Sequence, residues 1–317
     1  MKTTQQRHVQ RIQRVIDHIH NHSADEIDSA AVAEVAQLSS YHWHRIYVAV
    51  TGESAVATLR RVRLERSATA LLRDDRPVAR IASDCGFDNL QAFTRLFSRT
   101  YGLPPGKFRA NHVSALQESK VNLTAQPTTV NSNSSTMLSE EQNSYPDKSA
   151  NSQTLKRAVD INDRAALRLV GLAHSGDYYE IGRVFEKVMA AAEIESWPRS
   201  QSFTVGVYFD DPDIVPVERC RSFAGIPVRT DFEVPDGYAV QEMPDGLHAT
   251  CLHTGPYALL PESYLCLYRE WLQGAAHDAR DSPCYEIYLN APYNTPPASL
   301  KTLICLPLEG KLSGDAE

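Results

Sequence analysis

In the first third of the chain, apolar residues recur at steps of three and four, the spacing of one face of an α-helix. The pattern starts with Val9, Ile12, Ile16 and Ile19 and returns between Leu59 and Leu72. Capping and breaking residues divide this region at Asp28, Ser39, Ser54, Pro77, Gly86, Asp88 and Pro104-Pro105. No strand pattern interrupts it, so it predicts an all-α domain of about seven helices over residues 1–112.

The C-terminal half alternates β-rich runs with helical runs, which is typical of an α+β domain. The predicted strands are Ser202–Phe209, Ser222–Val228, His248–His253, Cys284–Leu289 and Leu303–Leu308, and the helical runs lie near Tyr178–Ala192 and Tyr257–Leu272. We predict this domain over residues 155–310.

The second domain also repeats itself. Tyr208-Phe-Asp-Asp-Pro212 matches Tyr288-Leu-Asn-Ala-Pro292 at an offset of 80 residues, and the segment at His174 matches the one at His253 at an offset of 79. Two copies of a strand–helix–hairpin unit are therefore predicted around a pseudo-twofold axis. A groove between the copies is the expected ligand site.

The two domains are separated by a polar segment. Between Ser119 and Thr154, 21 of 36 residues are Ser, Thr, Asn or Gln. Such a stretch buries too little apolar surface to offset the entropy lost on ordering, so residues 113–154 are predicted to be a flexible linker. The chain is thus expected to be multidomain.

Charge divides along the same boundary. Residues 1–112 carry 16 Lys and Arg against 11 Asp and Glu, whereas residues 113–317 carry 16 against 28. A basic first domain suits a polyanion such as DNA. No apolar run approaches the ~18–20 residues of a spanning helix, and the first residues lack a secretion signal, so we expect a cytoplasmic protein that inserts in no membrane. The six cysteines lie at least 15 residues apart, which favours reduced, buried thiols.

Two segments of the first domain fit a helix-turn-helix, in which the second helix reads the major groove. They are Ser29–Ala36 followed by Ser39–Tyr47, and Val78–Gly86 followed by Asn89–Phe97. Each second helix places an Arg before an apolar–aromatic pair, which should face the core. The candidates for base reading on the opposite surface are Tyr41, His44, Arg45, Gln91, Thr94 and Arg95. The alternative is a solvated helix face.

A run of arginines lies between the two units, and it is a candidate for phosphate contact. Its members are Arg60, Arg61, Arg63 and Arg66. A charged helix face is often merely solvated, and pairing with Glu65 or a nearby Asp is the alternative.

These residues resemble the DNA-binding domain of the AraC/XylS family. The resemblance covers almost all of residues 8–110 and rests on motifs such as Ile81-Ala-Ser-Asp-Cys-Gly-Phe87, Phe93-Thr-Arg-Leu-Phe97 and Tyr101-Gly-Leu-Pro-Pro105. It implies a transcription regulator that inserts both recognition helices into successive major grooves. Gln37 departs from the pattern, because the family commonly has Gly in that turn.

The acidic domain has the chemistry of a receptor for a hydrophobic cation. Residues 155–310 contain ten tyrosines, and aromatic faces together with a buried carboxylate attract positive charge. Glu286 is the candidate carboxylate, because strand alternation puts it on one face with Cys284 and Tyr288. Its counterpart in the first repeat is Gly206. The alternative is a strand Glu that points to water.

This domain resembles the gyrase-inhibitor-like effector-binding domain. The motifs are Leu252-His-Thr-Gly-Pro-Tyr257, Tyr268-Arg-Glu-Trp-Leu272 and Pro283-Cys-Tyr-Glu-Ile-Tyr-Leu-Asn-Ala-Pro292. The resemblance implies a duplicated fold that binds small molecules beside a strand glutamate, here Glu286, with Trp271, Tyr257 and Tyr288 as wall residues. The domain order resembles Rob-type regulators.

The leading hypothesis is a ligand-responsive regulator that binds promoter DNA and a small-molecule effector, with RNA polymerase as a further partner. One alternative is a small-molecule hydrolase with Glu286 as general base. Another is a DNA alkyl-repair protein that uses Cys85 or Cys251. We expect no cofactor. We also expect no metal, because the successive histidines His18, His20 and His22, like His42 and His44, follow one another at two-residue steps, and residues at that spacing do not share a helix face. His174 and His253 are expected to make strand-end hydrogen bonds.

Overall fold

The computed structural model describes residues 3–112 and 158–310, so the predicted linker over 113–154 lies outside the described residues. The domain before this gap is helical and the domain after it is built on one sheet. The predicted order of an all-α domain and an α+β domain is confirmed.

Seven helices make up the described part of the first domain. They are α1 (Thr4–Asn21), α2 (Ser29–Ala36), α3 (Ser40–Thr51), α4 (Ala55–Arg73), α5 (Val78–Asp84), α6 (Leu90–Tyr101) and α7 (residues 105–112). Asp28, Ser39 and Ser54 cap α2, α3 and α4 by accepting backbone N–H bonds, as predicted. Pro77 precedes α5 as its N-cap.

The two helix-turn-helix units close their turns in the same way. Leu38 N–H donates to the carbonyl of Ala33 at 3.1 Å, and Phe87 N–H donates to that of Ala82 at 2.9 Å. The left-handed position is Gln37 in the first unit, with φ 53°, and Gly86 in the second, with φ 82°. Gln37 therefore adopts the conformation that glycine supplies elsewhere, and the departure from the family pattern leaves the turn intact.

Helix α4 joins two apolar cores. Tyr47 and Trp43 are buried with α1 and the first part of α4, whereas Phe93 and Phe97 are buried with its second part. The predicted inward orientation of Tyr47 and Phe97 is confirmed, since both are fully buried. Each helix-turn-helix unit thus has its own core, and α4 is the element common to both.

The second domain contains an eight-stranded antiparallel sheet with two main helices. Its elements are β1 (Val159–Arg164), β2 (Leu167–Ser175), α8 (Ile181–Ile194), β3 (Thr204–Tyr208), β4 (Arg221–Pro227), β5 (Ala239–Met243), β6 (Gly246–Thr254), α9 (Leu260–Leu265), β7 (Cys284–Tyr288) and β8 (Lys301–Pro307). The strand order is β1-β6-β8-β7-β3-β4-β2-β5. Helix α9 continues into a π-helical turn over Cys266–Trp271.

The predicted repeat is visible in this order. The units β2-α8-β3-β4 and β6-α9-β7-β8 are related by the offsets of 79 and 80 residues seen in the sequence. Strands β3 and β7 are neighbours at the centre of the sheet, where Gly206 lies opposite Glu286. The two copies therefore meet at the candidate ligand site. The edge strands β1 and β5, and the inner strand β2, were not among the predicted strands.

Candidate functional site

Glu286 lies on the central strand β7 and is 4% exposed. Directly opposite it, Gly206 has no side chain, and a Cβ there would lie 3.0 Å from the hydroxyl of Tyr208. The glycine in the first repeat therefore leaves room for the Tyr208 side chain beside a carboxylate that only the second repeat supplies. Glu286 is therefore buried, and the alternative of a strand Glu that points to water is wrong.

Tyrosine hydroxyls enclose the carboxylate. Tyr264 donates to Glu286 Oε1 at 2.8 Å, and Tyr288 donates to Oε2 at 2.5 Å. The hydroxyls of Tyr208 and Tyr288 lie 2.5 Å apart, so Tyr208 extends the network. Burial raises the pKa of Glu286, although the hydrogen bonds from these tyrosines oppose the shift. Glu286 is thus a desolvated carboxyl group, and its ionisation costs free energy.

Aromatic rings form the walls around this group. The ring of Tyr288 packs edge-on against Tyr257 at 5.3 Å and against Phe185 at 5.1 Å, and Tyr208 packs against Tyr178 at 4.8 Å. We call this set the tyrosine cage; its members are Tyr178, Phe185, Tyr208, Tyr257, Tyr264, Glu286 and Tyr288. A hydrophobic cation placed here would meet ring faces and a carboxylate at once, which offsets the cost of ionising Glu286.

Two of the three predicted wall residues, Tyr257 and Tyr288, lie in the cage. Trp271 packs against the apolar cluster under β6 and β8, which Tyr257 and Tyr264 also border. Sequence reasoning missed Tyr178, Phe185, Tyr208 and Tyr264 as members of the site. The sequence could have identified two of them. Tyr208 is the repeat partner of Tyr288, and Tyr264 falls midway between Tyr257 and Trp271 at steps of seven residues.

The base-reading candidates lie on the two recognition helices, α3 and α6. His44, Arg45, Gln91 and Arg95 are exposed. Thr94 is half-buried and its hydroxyl donates to the carbonyl of Leu90 at 2.8 Å. Tyr41 falls in α3, but its side chain lies outside the described residues.

Arg61 corrects the prediction of phosphate contacts along α4. Its guanidinium donates to Glu53 at 2.7 Å and to Glu186 of the second domain at 2.8 Å, with Glu65 at 3.4 Å, and its side chain is only 15% exposed. A guanidinium removed from water needs carboxylate partners, and three surround this one. Arg61 therefore joins the two domains and does not face DNA.

Two further arginines of the run are also engaged internally. Arg63 donates to the backbone carbonyls of Ser23 and Asp25, both at 2.6 Å. Arg66 pairs with Glu180 of the second domain at 2.9 Å. Arg60 is exposed, so it is the member of the run that remains a candidate for phosphate contact.

The thiols and imidazoles lie in structural settings. Cys251 is fully buried, and burial raises the pKa of the Cys85 thiol, which disfavours the reactive thiolate. The rings of His174 and His253 hydrogen-bond Ser222 at 3.0 Å and Ser263 at 2.8 Å. Over residues 3–112 and 158–310, no group of three or more His, Cys, Asp or Glu is placed to hold a metal ion, and no helix has the length and apolarity to cross a membrane.

The fold and the two sites define a protein that joins a helix-turn-helix domain to a small-molecule-binding domain. Residues 32–111 match the model of a helix-turn-helix domain, and residues 157–309 match that of the GyrI-like small molecule binding domain. The chain therefore carries an AraC-type helix-turn-helix domain followed by a GyrI-like C-terminal domain.

Three curated relatives share parts of the chain. An uncharacterized HTH-type transcriptional regulator, YbfP of Bacillus subtilis, is 35% identical over 31% of this chain and 33% of its own length. A DNA gyrase inhibitor of Citrobacter rodentium is 30% identical over 27% of this chain and 57% of its own. The right origin-binding protein of Escherichia coli is 38% identical over 25% of this chain and 27% of its own. The chain thus spans between 27% and 57% of the length of these relatives.

Proposed function

We propose that this protein is a sequence-specific transcription regulator that binds promoter DNA in the cytoplasm and senses a small hydrophobic cation. The observation that carries the proposal is the buried Glu286 in the tyrosine cage, within a chain that also presents two recognition helices. The name of the Bacillus subtilis relative, a transcriptional regulator, supports the DNA-binding part. We place the DNA-binding domain at residues 1–112, a linker at 113–154 and the effector-binding domain at 155–310, with RNA polymerase as a further partner.

Each recognition helix has a defined role in this proposal. His44 and Arg45 on α3, with Tyr41, read one half-site, and Gln91, Thr94 and Arg95 on α6 read the other. An arginine suits guanine and a glutamine suits adenine in the major groove. Arg60 contacts a phosphate. The proposed cation lies against Glu286, Tyr257 and Tyr288, with Trp271 supporting the wall from the adjacent cluster.

Selection of duplex DNA from a random pool by the full chain, at physiological salt, tests the DNA-binding part. We expect an asymmetric motif with two short half-sites about one helical turn, or roughly 10 base pairs, apart. Enrichment of no sequence would overturn the regulator proposal.

Titration with tetraphenylphosphonium, followed by calorimetry, tests the ligand part. Glu286→Gln keeps the shape of the side chain and removes its charge, so we expect affinity to fall about 30-fold or more. The matched control is Glu270→Gln, an exposed acid of the same domain, which should bind as the wild type does. Equal affinity in wild type and Glu286→Gln would remove Glu286 from the site.

The hydrolase alternative has less support. Both carboxylate oxygens of Glu286 accept hydrogen bonds from tyrosine hydroxyls, an arrangement that suits holding charge more than activating water. Turnover of a bound molecule by the wild type, abolished in Glu286→Gln, would reverse this preference.

A further inference from the structure

Two short 3-10 turns lie where the effector domain meets the DNA-binding domain. They are Tyr178–Glu180 and Tyr257–Leu259, which are repeat partners at an offset of 79 residues. Each turn begins with a tyrosine and leads directly into one of the two main helices. Each repeat of the domain therefore contains one such turn, with a tyrosine at its start and a helix after it.

The first residue of each turn belongs to the tyrosine cage. Tyr257 packs against the ring of Tyr288, and Tyr178 packs against the ring of Tyr208. Tyr288 donates to Glu286, and its hydroxyl also meets that of Tyr208. Any group that enters the cage and displaces these rings acts on both turns.

The remaining residues of the second turn pack against the DNA-binding domain. Ala258 and Leu259 are 7% and 9% exposed and pack into the core that surrounds the second half of α4. Leu64, Leu71 and Phe97 belong to the same core. This turn thus has one residue at the ligand site and two in the core of the second helix-turn-helix unit.

The first turn also contacts the DNA-binding domain, but mainly through charged side chains. Tyr179 packs against the same core, and the guanidinium of Arg73 lies 4.5 Å from the centre of its ring. Glu180 pairs with Arg66 at 2.9 Å, and Asp177, which caps the turn, pairs with Arg73. Arg66 and Arg73 both lie on α4, seven residues apart.

We propose that these paired turns transmit occupancy of the Glu286 site to α4, and through it to the spacing of the two recognition helices. In a hydrogen-bonded turn of three residues, a backbone shift at the tyrosine also shifts the two residues that follow. Helix α4 is shared by the cores of both helix-turn-helix units, so a change in its seating alters how they face successive grooves. This inference rests on the proposed function, and it adds the route by which ligand and DNA affect each other.

The test measures thermodynamic coupling in the full chain. The DNA affinity of the protein is determined with and without saturating tetraphenylphosphonium, on a duplex selected from the random pool. For the wild type we expect a change in affinity of roughly 5- to 150-fold, in either direction. The variant Arg66→Gln/Arg73→Gln removes the contacts of the first turn, and Leu259→Ala weakens those of the second. In both we expect the two ligands to bind and the coupling factor to fall towards one.

The control is Arg76→Gln/Arg80→Gln, which removes two positive charges whose partners, Asp74 and Asp84, lie within the DNA-binding domain. This variant should keep the wild-type coupling factor. Wild-type coupling in the variants of both turns, or a wild-type protein that binds cation and DNA independently, would overturn the inference and leave the proposed function standing. Failure of the wild type to bind either ligand would instead overturn the proposed function.

A second measurement does not need the variants of the turns, so it tests the inference even if those variants fold poorly. Hydrogen–deuterium exchange of the wild type should change over residues 62–73 and 257–260 when tetraphenylphosphonium is added, and this change should vanish in Glu286→Gln. Altered exchange confined to the cage strands, with none in α4, would contradict transmission through the turns.

Discussion

Gly86 occupies a turn position that tolerates no other residue without movement of the backbone. Its φ is +82°, and an added Cβ would lie 2.6 Å from the carbonyl oxygen of Ala24. Gly102 has a similar φ of +76°, but among the described residues 3–112 and 158–310 no atom lies within 4 Å of an added Cβ. A comparison of alanine substitutions at Gly86 and Gly102 therefore distinguishes the cost of backbone strain from the cost of steric contact.

We expect Gly86→Ala to lower the free energy of unfolding by about 2 kcal/mol or more, because left-handed strain adds to a clash with backbone. Gly102→Ala should cost about 1 kcal/mol, from strain alone. Urea unfolding followed by circular dichroism at 222 nm measures both. Equal losses in the two variants would show that the contact with Ala24 is not rigid.

Glu286 predicts a pH dependence of cation binding. Burial raises the pKa of this carboxyl above its usual value near 4.5, so the free protein holds a proton there at a pH where an exposed Glu does not. A cation favours the ionised form, and binding below the raised pKa therefore releases a proton. Affinity for tetraphenylphosphonium should rise with pH by at most about tenfold per unit and level off above that pKa.

Calorimetry in two buffers of different ionisation enthalpy measures the released proton directly. In Glu286→Gln the proton release and the pH dependence should both disappear. A wild-type affinity that is independent of pH over the whole range in which the protein stays folded, with no proton released, contradicts this prediction.

At the scale of elements, α8 connects the ligand site to the DNA-binding domain through two consecutive residues. Phe185 packs on Tyr288 in the cage, and the next residue, Glu186, pairs with Arg61 at 2.8 Å and with His20 at 3.1 Å. Burial alone raises the pKa of Glu186, but the charges of Arg61 and His20 outweigh it and lower the pKa to about 2. This carboxylate therefore stabilises the docked arrangement of the domains.

We expect Glu186→Gln to lower the free energy of unfolding by about 2–3 kcal/mol, less than the full loss of a buried pair because Glu53 and Glu65 still face Arg61. Glu193→Gln, an exposed acid on the same helix, is the control and should change little. Since the pKa is lowered on folding, the Glu186 contribution is complete above the unfolded value of about 4.3 and is lost as pH falls towards 2. Urea unfolding at pH 7 and pH 3 should show the difference between wild type and variant shrinking at the lower pH.

The elements predicted well from sequence are those fixed by local interactions. The caps Asp28, Ser39 and Ser54 sit next to the helices they start, so spacing alone located α2, α3 and α4. Strands β1, β2 and β5 were missed. β1 and β5 are short and lie at the edges of the sheet, where partial exposure weakens the alternation of apolar residues. β2 lies inside the sheet, and three successive buried residues at its centre replace the alternation by which a strand is recognised.

The part of the ligand site that could be predicted is the part that the internal repeat reveals. Comparison of the two copies singled out Glu286 against Gly206, and the strand register brings that pair together. Arg61 was misassigned because its partner Glu186 lies 125 residues away in another domain. Such pairing depends on how the two domains dock, which helical periodicity does not encode.

At the scale of the whole molecule, ion pairs within the protein neutralise part of the basic charge of the first domain. Arg61, Arg66 and Arg73 all pair with carboxylates of the acidic domain. The opposite net charges of the two halves thus stabilise their contact as well as suiting separate ligands. Fewer arginines are left for DNA than the sequence suggests.

The salt dependence of DNA binding should show this division of charge. Each phosphate contact contributes about 0.9 to the slope of log affinity against log salt concentration. Arg60 is exposed, so Arg60→Gln should reduce the magnitude of the slope by about 1. Arg63→Gln, one turn further along α4, removes an equal charge whose hydrogen bonds go to backbone carbonyls, and the slope should not change even if the affinity does. Affinity of the full chain for its selected duplex, measured from 50 to 300 mM salt, gives both slopes. A smaller slope in Arg63→Gln would mean that DNA draws this side chain away from Ser23 and Asp25.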